Sequence, residues 1–66
     1  MTLQSTIKTR RKALKISQDD LAQMAEVGLA TVKDIERGKA NPSLATITRL
    51  LDVLGLEIMY VERKTK

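Results

Sequence analysis

Residues 17–39 constrain the fold of this chain more than any other segment. They read SQDDLAQMAEVGLATVKDIERGK, with two short helical patterns on either side of a tight turn. Ser17 is a favourable N-cap residue, and Asp20 three positions later completes a pattern resembling a capping box with the shorter acid in place of glutamate. Small and apolar residues then form a narrow stripe on one face: Leu21, Ala22 and Ala25. The spacing predicts a helix over Gln18 to Ala25 that packs closely on another backbone.

A second helical pattern follows the turn. It runs through Val32 and Ile35, which face inward, and stops at Gly38, a favourable C′ residue. This predicts a helix from Gly28 to Arg37. Two helices joined by a short turn match a helix-turn-helix unit. In such a unit the second helix is the one that enters the DNA major groove.

Two further helices are predicted around this unit. The first spans Leu3 to Leu14, with its core face marked by Leu3, Ile7 and Leu14. The fourth begins after Asn41-Pro42, with Ser43 as N-cap or Asn41 in that role, and ends at Gly55. Its apolar face is the strongest in the sequence: Leu44, Ile47, Leu50, Leu51 and Leu54.

The segment after Gly55 alternates in a way typical of a β-strand. No other part of the sequence looks extended, so we expect the strand to pair with the same segment of a second copy around a two-fold axis. The alternative is a fifth helix packed on the chain's own core. We therefore expect two parts in the chain: a helix-turn-helix DNA-binding domain in residues 1–55, and a dimerisation strand and tail in residues 56–66. The predicted dimer contacts are Leu56, Ile58, Met59, Tyr60 and Val61.

The composition sets the class of protein. A chain of 66 residues with one tyrosine as its only aromatic residue forms a small domain with a marginal core. It has no cysteine and no long apolar run, so we expect a cytoplasmic protein that is neither secreted nor membrane-spanning. Twelve basic residues against eight acidic ones give a net charge of +4, which favours polyanionic partners. Five of the cations fall within residues 8–15, where a solvated helix face is an equally good interpretation.

The predicted DNA contacts lie on the second and third helices. Gln18 would bind a phosphate at a helix N-terminus, although an exposed glutamine is also a common helix former. Among the residues expected to be exposed at the start of the third helix, only Lys33 can make bidentate base contacts, while Arg37 and Lys39 would hold phosphates. Much of the affinity should therefore come from the DNA backbone. The complete set is Gln18, Gly28, Leu29, Ala30, Thr31, Lys33, Arg37 and Lys39.

Other functional classes fit the sequence less well. The chain has no histidine or cysteine, and it has no glycine-rich phosphate loop and no paired carboxylates suited to acid–base chemistry. We therefore expect no catalysis, no cofactor and no metal. RNA binding by stacking is disfavoured by the single aromatic residue. The serious alternative is a module that binds a partner protein through its C-terminal strand.

The sequence resembles the xenobiotic-response-element (XRE) family of helix-turn-helix proteins, which includes the phage repressor and Cro proteins. The matching pieces are Ile16-Ser17-Gln18, Asp20-Leu21-Ala22, Ala30-Thr31-Val32 and Ile35-Glu36-Arg37-Gly38-Lys39. The resemblance implies an all-α, lambda-repressor-like domain of four to five helices that binds a palindromic operator in double-stranded DNA as a homodimer. It also implies a structural ion pair between Arg11 and Glu36.

A narrower resemblance points to HipB-type antitoxin repressors. It rests on Asn41-Pro42-Ser43-Leu44 and Leu54-Gly55-Leu56-Glu57. It implies a repressor of its own operon that binds a HipA-like kinase toxin. Two features depart from the wider family pattern: Glu26 stands where a turn glycine is usual, and Gly28 and Leu29 stand where polar residues are common.

Overall fold

The computed structural model describes residues 2–62, and the predicted all-α class is confirmed. Residues 2–62 contain four helices: α1 (Leu3–Ala13), α2 (Gln18–Ala25), α3 (Leu29–Glu36) and α4 (Leu44–Val53). The bounds of α2 are those predicted. The predicted start of α1 at Leu3 is also the observed one. The end of α1 and both ends of α3 differ from the prediction by one residue, because Leu14, Gly28 and Arg37 serve as helix caps. In α4, Ser43 is the N-cap, one of the two predicted, and the helix ends at Val53 with Leu54 as its C-cap before Gly55.

Three of the four helices begin with a hydroxyl side chain as N-cap. Thr2, Ser17 and Ser43 each accept a hydrogen bond from the backbone N–H three residues later. At α2 the predicted capping box is complete, since Asp20 accepts in return from the Ser17 backbone N–H at 3.1 Å. The hydrogen bonds from Ser17 lower the pKa of Asp20. Gly28, at the start of α3, has no side chain to cap its helix.

All four helices end in the same type of backbone turn. In α3 the Lys39 N–H donates to the Asp34 carbonyl at 2.9 Å and the Gly38 N–H donates to the Ile35 carbonyl at 3.0 Å, which is a Schellman motif. Each motif places one residue at positive φ. These residues are Lys15, Glu26, Gly38 and Gly55.

Glu26 takes the left-handed conformation that the turn between α2 and α3 requires. Its φ is 57°, and Val27 N–H closes the turn on the Ala22 carbonyl at 2.9 Å. A side chain with a Cβ in this conformation costs roughly 1–2 kcal/mol relative to right-handed backbone. The departure from the family's glycine is therefore accommodated by strain and not by a different turn.

The core forms where α2 packs on α3 and α4 while α1 packs on α3. Nine apolar side chains are buried in it: Ile7, Leu21, Ala22, Ala25, Val32, Ile35, Leu50, Leu51 and Leu54. The predicted burial of two residues is wrong, because Leu14 is 42% exposed and Leu44 is 58% exposed. Leu14 is the C-cap of α1 and Leu44 is the first residue of α4, so each has helical neighbours on only one side.

The C-terminal segment has no regular secondary structure in the single chain. Residues 56–62 form neither a strand nor a fifth helix, and no strand occurs elsewhere in residues 2–62. Part of the predicted tail, residues 63–66, lies outside the described residues. A strand in this segment therefore remains a prediction, since the partner strand it needs would come from another chain.

Two further findings concern the described part of the chain. None of its helices has the length and apolar character needed to cross a membrane. Among residues 2–62 there is no group of three or more metal-binding side chains.

Candidate nucleic-acid interface

The helix α3 divides sharply into an inner and an outer face. Val32 and Ile35 are buried at 0% and 3% exposure, as predicted. On the other side Ala30, Lys33 and Arg37 are exposed, and their spacing of three and four residues places them on one line along the helix. The outer face is therefore short, carries two cations and is open to a partner.

Leu29 is expected to be exposed on that outer face, but the structure places it elsewhere, and its contact with DNA stays a prediction. It is half-buried and packs against the core, because it precedes Val32 by three residues and so shares its face. Thr31 is also half-buried, whereas Gly28 is exposed. Of the residues at the start of α3, Gly28 and Ala30 are the most accessible.

The two cations at the end of α3 differ in their hydrogen bonds to other side chains. Arg37 Nη2 donates to Asp34 Oδ1 in an exposed ion pair one turn back along the helix. Lys39 is exposed, and no hydrogen bond of its side chain occurs within the described residues. Asp34 is thus in competition with any phosphate for Arg37.

Gly38 brings α1 close to the end of α3. A Cβ at this position would lie 2.9 Å from the Gln4 amide nitrogen, and its φ is 73°. The positive φ favours glycine at this position, whereas the close neighbour is the end of a flexible side chain that can move.

A buried ion pair joins α1 to α3. Arg11 donates from Nε to Glu36 Oε2 at 2.7 Å and from Nη2 to Oε1 at 3.0 Å, a bidentate geometry. Arg11 Nη1 also donates to the Ile16 carbonyl at 2.9 Å, which fixes the approach to α2. The structure therefore brings together the two residues that the family resemblance pairs.

Burial and hydrogen bonding act in opposite directions on Glu36. Burial alone would raise its pKa, but hydrogen bonds from Arg11 and Gln18, with the charges of Arg11 and Lys8, outweigh it and lower the pKa. In return, the hydrogen bond to Glu36 raises the pKa of Arg11 against the effect of burial. Both groups are therefore charged at neutral pH.

Gln18 lies at the first position of α2 and is half-buried. Its Nε2 donates to Glu36 Oε1 at 3.2 Å. This predicted phosphate contact is therefore not a freely rotating surface side chain. It is tied to the end of α3 through the same carboxylate that binds Arg11.

Comparison with known proteins identifies this architecture. Residues 7–61 match the model of a family described as helix-turn-helix. The chain belongs to the XRE-type helix-turn-helix family. The match begins inside α1 and extends through α4 into the C-terminal segment, so it covers the inner and outer faces of α3 described above.

Three curated relatives support this assignment. The chain is 38% identical over 61 residues to the immunity repressor protein of Bacillus phage phi105, covering 92% of this chain and 42% of the repressor. It is 36% identical over 58 residues to an uncharacterized HTH-type transcriptional regulator of Haemophilus influenzae, covering 88% and 59%. It is 38% identical over 48 residues to the HTH-type regulator y4mF of Sinorhizobium fredii, covering 73% and 63%. The chain spans about half the length of the curated relatives it matches.

One structural residue of this helix-turn-helix domain was missed by the sequence analysis. Arg10 Nε donates to the Leu54 carbonyl at 2.9 Å, so a cation on α1 caps the end of α4. Positive charge is favourable at a helix C-terminus, where carbonyls lack partners within the helix. The sequence does carry a signal for this role, because Arg10 is a cation that interrupts the apolar stripe of α1.

The C-terminal segment of the helix-turn-helix domain presents apolar side chains to solvent. Met59, Tyr60 and Val61 are 76%, 84% and 79% exposed, and Ile58 is 39% exposed. Leu56 differs from these, because it is half-buried against the domain's own core. Its backbone N–H closes the last turn of α4 on the Leu51 carbonyl at 2.8 Å. Its role as a dimer contact stays a prediction.

Proposed function

We propose that this chain is a sequence-specific DNA-binding transcriptional regulator, a repressor, that inserts α3 into the major groove. The observation that carries this proposal is the outer face of α3, where Ala30, Lys33 and Arg37 are exposed while the opposite face is buried. Membership of the XRE-type family and the likeness to a phage immunity repressor support it.

Most of the affinity is expected from phosphate contacts. Within α3 (Leu29–Glu36) Lys33 is the exposed residue suited to bidentate contact with guanine, and Ala30 offers an apolar contact to a thymine methyl group. Arg37 and Lys39 lie at the helix exit, where they meet backbone phosphates. Gly28 allows the DNA backbone to approach, Thr31 supplies a half-buried hydroxyl, and Leu29 contributes through the position of the helix.

The test is selection of duplexes from a random-sequence pool by the purified protein, followed by fluorescence anisotropy on the selected duplex. Each phosphate contact contributes about −0.9 to the slope of log affinity against log salt. Lys33→Ala should weaken binding, whereas Lys12→Ala, the same charge change on α1, should not. Equal affinity at two salt concentrations, or no enriched sequence, would contradict the proposal.

We also propose that residues 56–61 pair with the same segment of a second copy as an antiparallel ribbon. The exposed apolar side chains of this segment support the pairing, and a dimer doubles the formal charge of +4. The operator would then be palindromic, with half-sites about 34 Å apart or at a multiple of that distance.

Two methionines provide a matched test of this dimer. Met59 and Met24 are 76% and 61% exposed, but only Met59 lies in the proposed ribbon. Sedimentation should give a dimer for the original protein and for Met24→Glu, and a monomer for Met59→Glu. A monomeric original protein at micromolar concentration would refute the ribbon.

A finer proposal is that the repressor is the antitoxin of a HipBA-like operon and binds a HipA-like kinase toxin. Its support is the resemblance in residues 41–44 and 54–57. A kinase-like reading frame beside this gene, whose product copurifies with the chain when coexpressed, is the expected result. A neighbouring kinase that does not copurify would exclude the toxin partnership.

The alternative function is a protein-interaction module with little DNA binding. The exposed apolar surface of Met59, Tyr60 and Val61 favours it. In that case a partner protein would bind tightly, and the anisotropy experiment would show no salt-dependent binding to any duplex.

A further inference from the structure

The side-chain amide of Gln18 is already fixed by α3 in the free protein. Its Nε2 donates at 3.2 Å to Oε1 of Glu36, an oxygen that also accepts at 3.0 Å from Nη2 of Arg11. A glutamine amide nitrogen carries two hydrogens. One of them is used within the fold, which leaves the other for a ligand.

We propose that Glu36 is a positioning residue for DNA binding, because it holds the Gln18 amide in the orientation that donates to a backbone phosphate. This inference rests on the proposed function. Glu36 itself does not touch DNA, since its side chain is only 2% exposed. It acts through Gln18, which lies nearer the surface.

The charges of the network are compatible with a phosphate nearby. A lone carboxylate beside Gln18 would repel the DNA backbone. Arg11 binds Glu36 through both carboxylate oxygens, at 2.7 and 3.0 Å, and the charge of Lys8 also acts on Glu36. The phosphate therefore faces a neutralised pair and an amide donor.

Fixing the amide in advance favours binding. A free glutamine side chain loses rotamer freedom when it is immobilised at an interface. Here Gln18 is ordered when the protein folds, through a contact to a residue on another helix. Its hydrogen bond to phosphate should therefore contribute more than that of an untethered glutamine.

The test compares Gln18→Ala in two backgrounds. One is the original protein, and the other is Arg11→Met/Glu36→Met, in which apolar side chains replace the ion pair and Gln18 loses its tether. Replacing a buried ion pair in this way often preserves stability. The probe is the duplex that the original protein selects from a random pool, and circular dichroism confirms folding of each variant.

In the original background Gln18→Ala should weaken DNA binding about tenfold, the effect of a hydrogen bond to a charged group. In the double-methionine background it should weaken binding less than about twofold, because an untethered side chain loses most of this contribution. The salt slope should not change in either case, since glutamine is neutral. Gln23→Ala on the same helix is the control; that side chain is exposed and bonds to Asp19, so its loss should have no effect on DNA binding.

A second measurement does not depend on the double variant folding. The side-chain amide of Gln18 in the free original protein should be ordered on the nanosecond timescale, with an NMR order parameter above about 0.6, the value below which groups count as flexible. Gln23, whose amide bond lies on the surface, should be the more mobile of the two. A flexible Gln18 amide would overturn the proposal.

The remaining outcomes distinguish the positioning role of Glu36 from the proposed DNA-binding function. Equal losses from Gln18→Ala in both backgrounds, or no loss in either while the original protein binds DNA, would overturn the positioning role and leave the proposed function intact. Absence of salt-dependent DNA binding by the original protein would overturn the proposed function itself.

Discussion

Removal of one partner from the ion pair between Arg11 and Glu36 should eliminate much of this domain's stability. The two side chains are 11% and 2% exposed, so solvent screens them little. Breaking a buried pair in this way costs about 3–5 kcal/mol. Domains of this length unfold with a free energy of roughly 3–10 kcal/mol, so Arg11→Ala and Glu36→Ala should both be close to unfolding at 37 °C.

The two variants should differ in their response to pH. In Arg11→Ala the buried carboxylate has lost its main partner, and burial should raise the pKa of Glu36 above its unfolded value of about 4.3. A group with a raised folded pKa stabilises fully below the unfolded pKa and loses that contribution as pH rises through the folded pKa. The deficit of Arg11→Ala, meaning its loss of unfolding free energy relative to the original protein, should therefore be smaller at about pH 4.5 than at pH 7. Glu36→Ala has no carboxyl to protonate, so its loss of stability should change much less in that interval, and only because the original protein begins to lose the contribution of its own low Glu36 pKa near pH 4.5.

Urea unfolding followed by far-ultraviolet circular dichroism at the two pH values measures these deficits, because the chain has no tryptophan. The control is Arg37→Ala, which removes an exposed ion pair and should cost about 0–1 kcal/mol. If both Arg11→Ala and Glu36→Ala also fell in that lower range, or if their deficits had the same pH dependence, the argument from burial would be refuted.

Three further substitutions should have separable effects. Glu26→Gly should stabilise the fold by up to about 1 kcal/mol in urea unfolding, because relief of left-handed strain exceeds the added chain entropy; no gain would argue against strain. Arg10→Ala should lower the unfolding free energy by about 1 kcal/mol, because the carbonyl at the end of α4 loses its hydrogen bond. Amide hydrogen exchange at the end of α4 should become faster, and unchanged exchange would exclude this cap. Asp34→Ala should free Arg37, raise DNA affinity and steepen the salt slope by about 0.9, whereas Asp52→Ala should leave the slope unchanged.

Local patterns were enough to predict much of this fold. The capping box at Ser17 and the stripe of Leu21, Ala22 and Ala25 depend only on residues within one or two turns, and these set the bounds of α2. Periodicity failed at Leu14 and Leu44, because a residue at a helix end has neighbours on only one side. Periodicity describes the middle of a helix better than its ends.

Contacts between distant segments were harder to predict. Nothing near Arg10 in the sequence indicates that it bonds to Leu54, 44 positions away. Likewise the hydrogen bond from Gln18 to Glu36 depends on how α2 and α3 cross, which no single-helix pattern specifies. The place of Leu29 at the helix start predicts the outer face, whereas its spacing from Val32 predicts the inner face, where its side chain packs against the core.

The backbone turns that end the helices determine where this domain can tolerate added length. Between α1 and α2, and between α2 and α3, nearly every connecting residue closes a turn or caps a helix, so an insertion there would rotate the following helix out of register. Between Lys39 and Ser43, residues 40–42 make no such turn or cap bond among those described. The domain should tolerate insertion of a peptide tag or a fused domain there without a change in the orientation of α3.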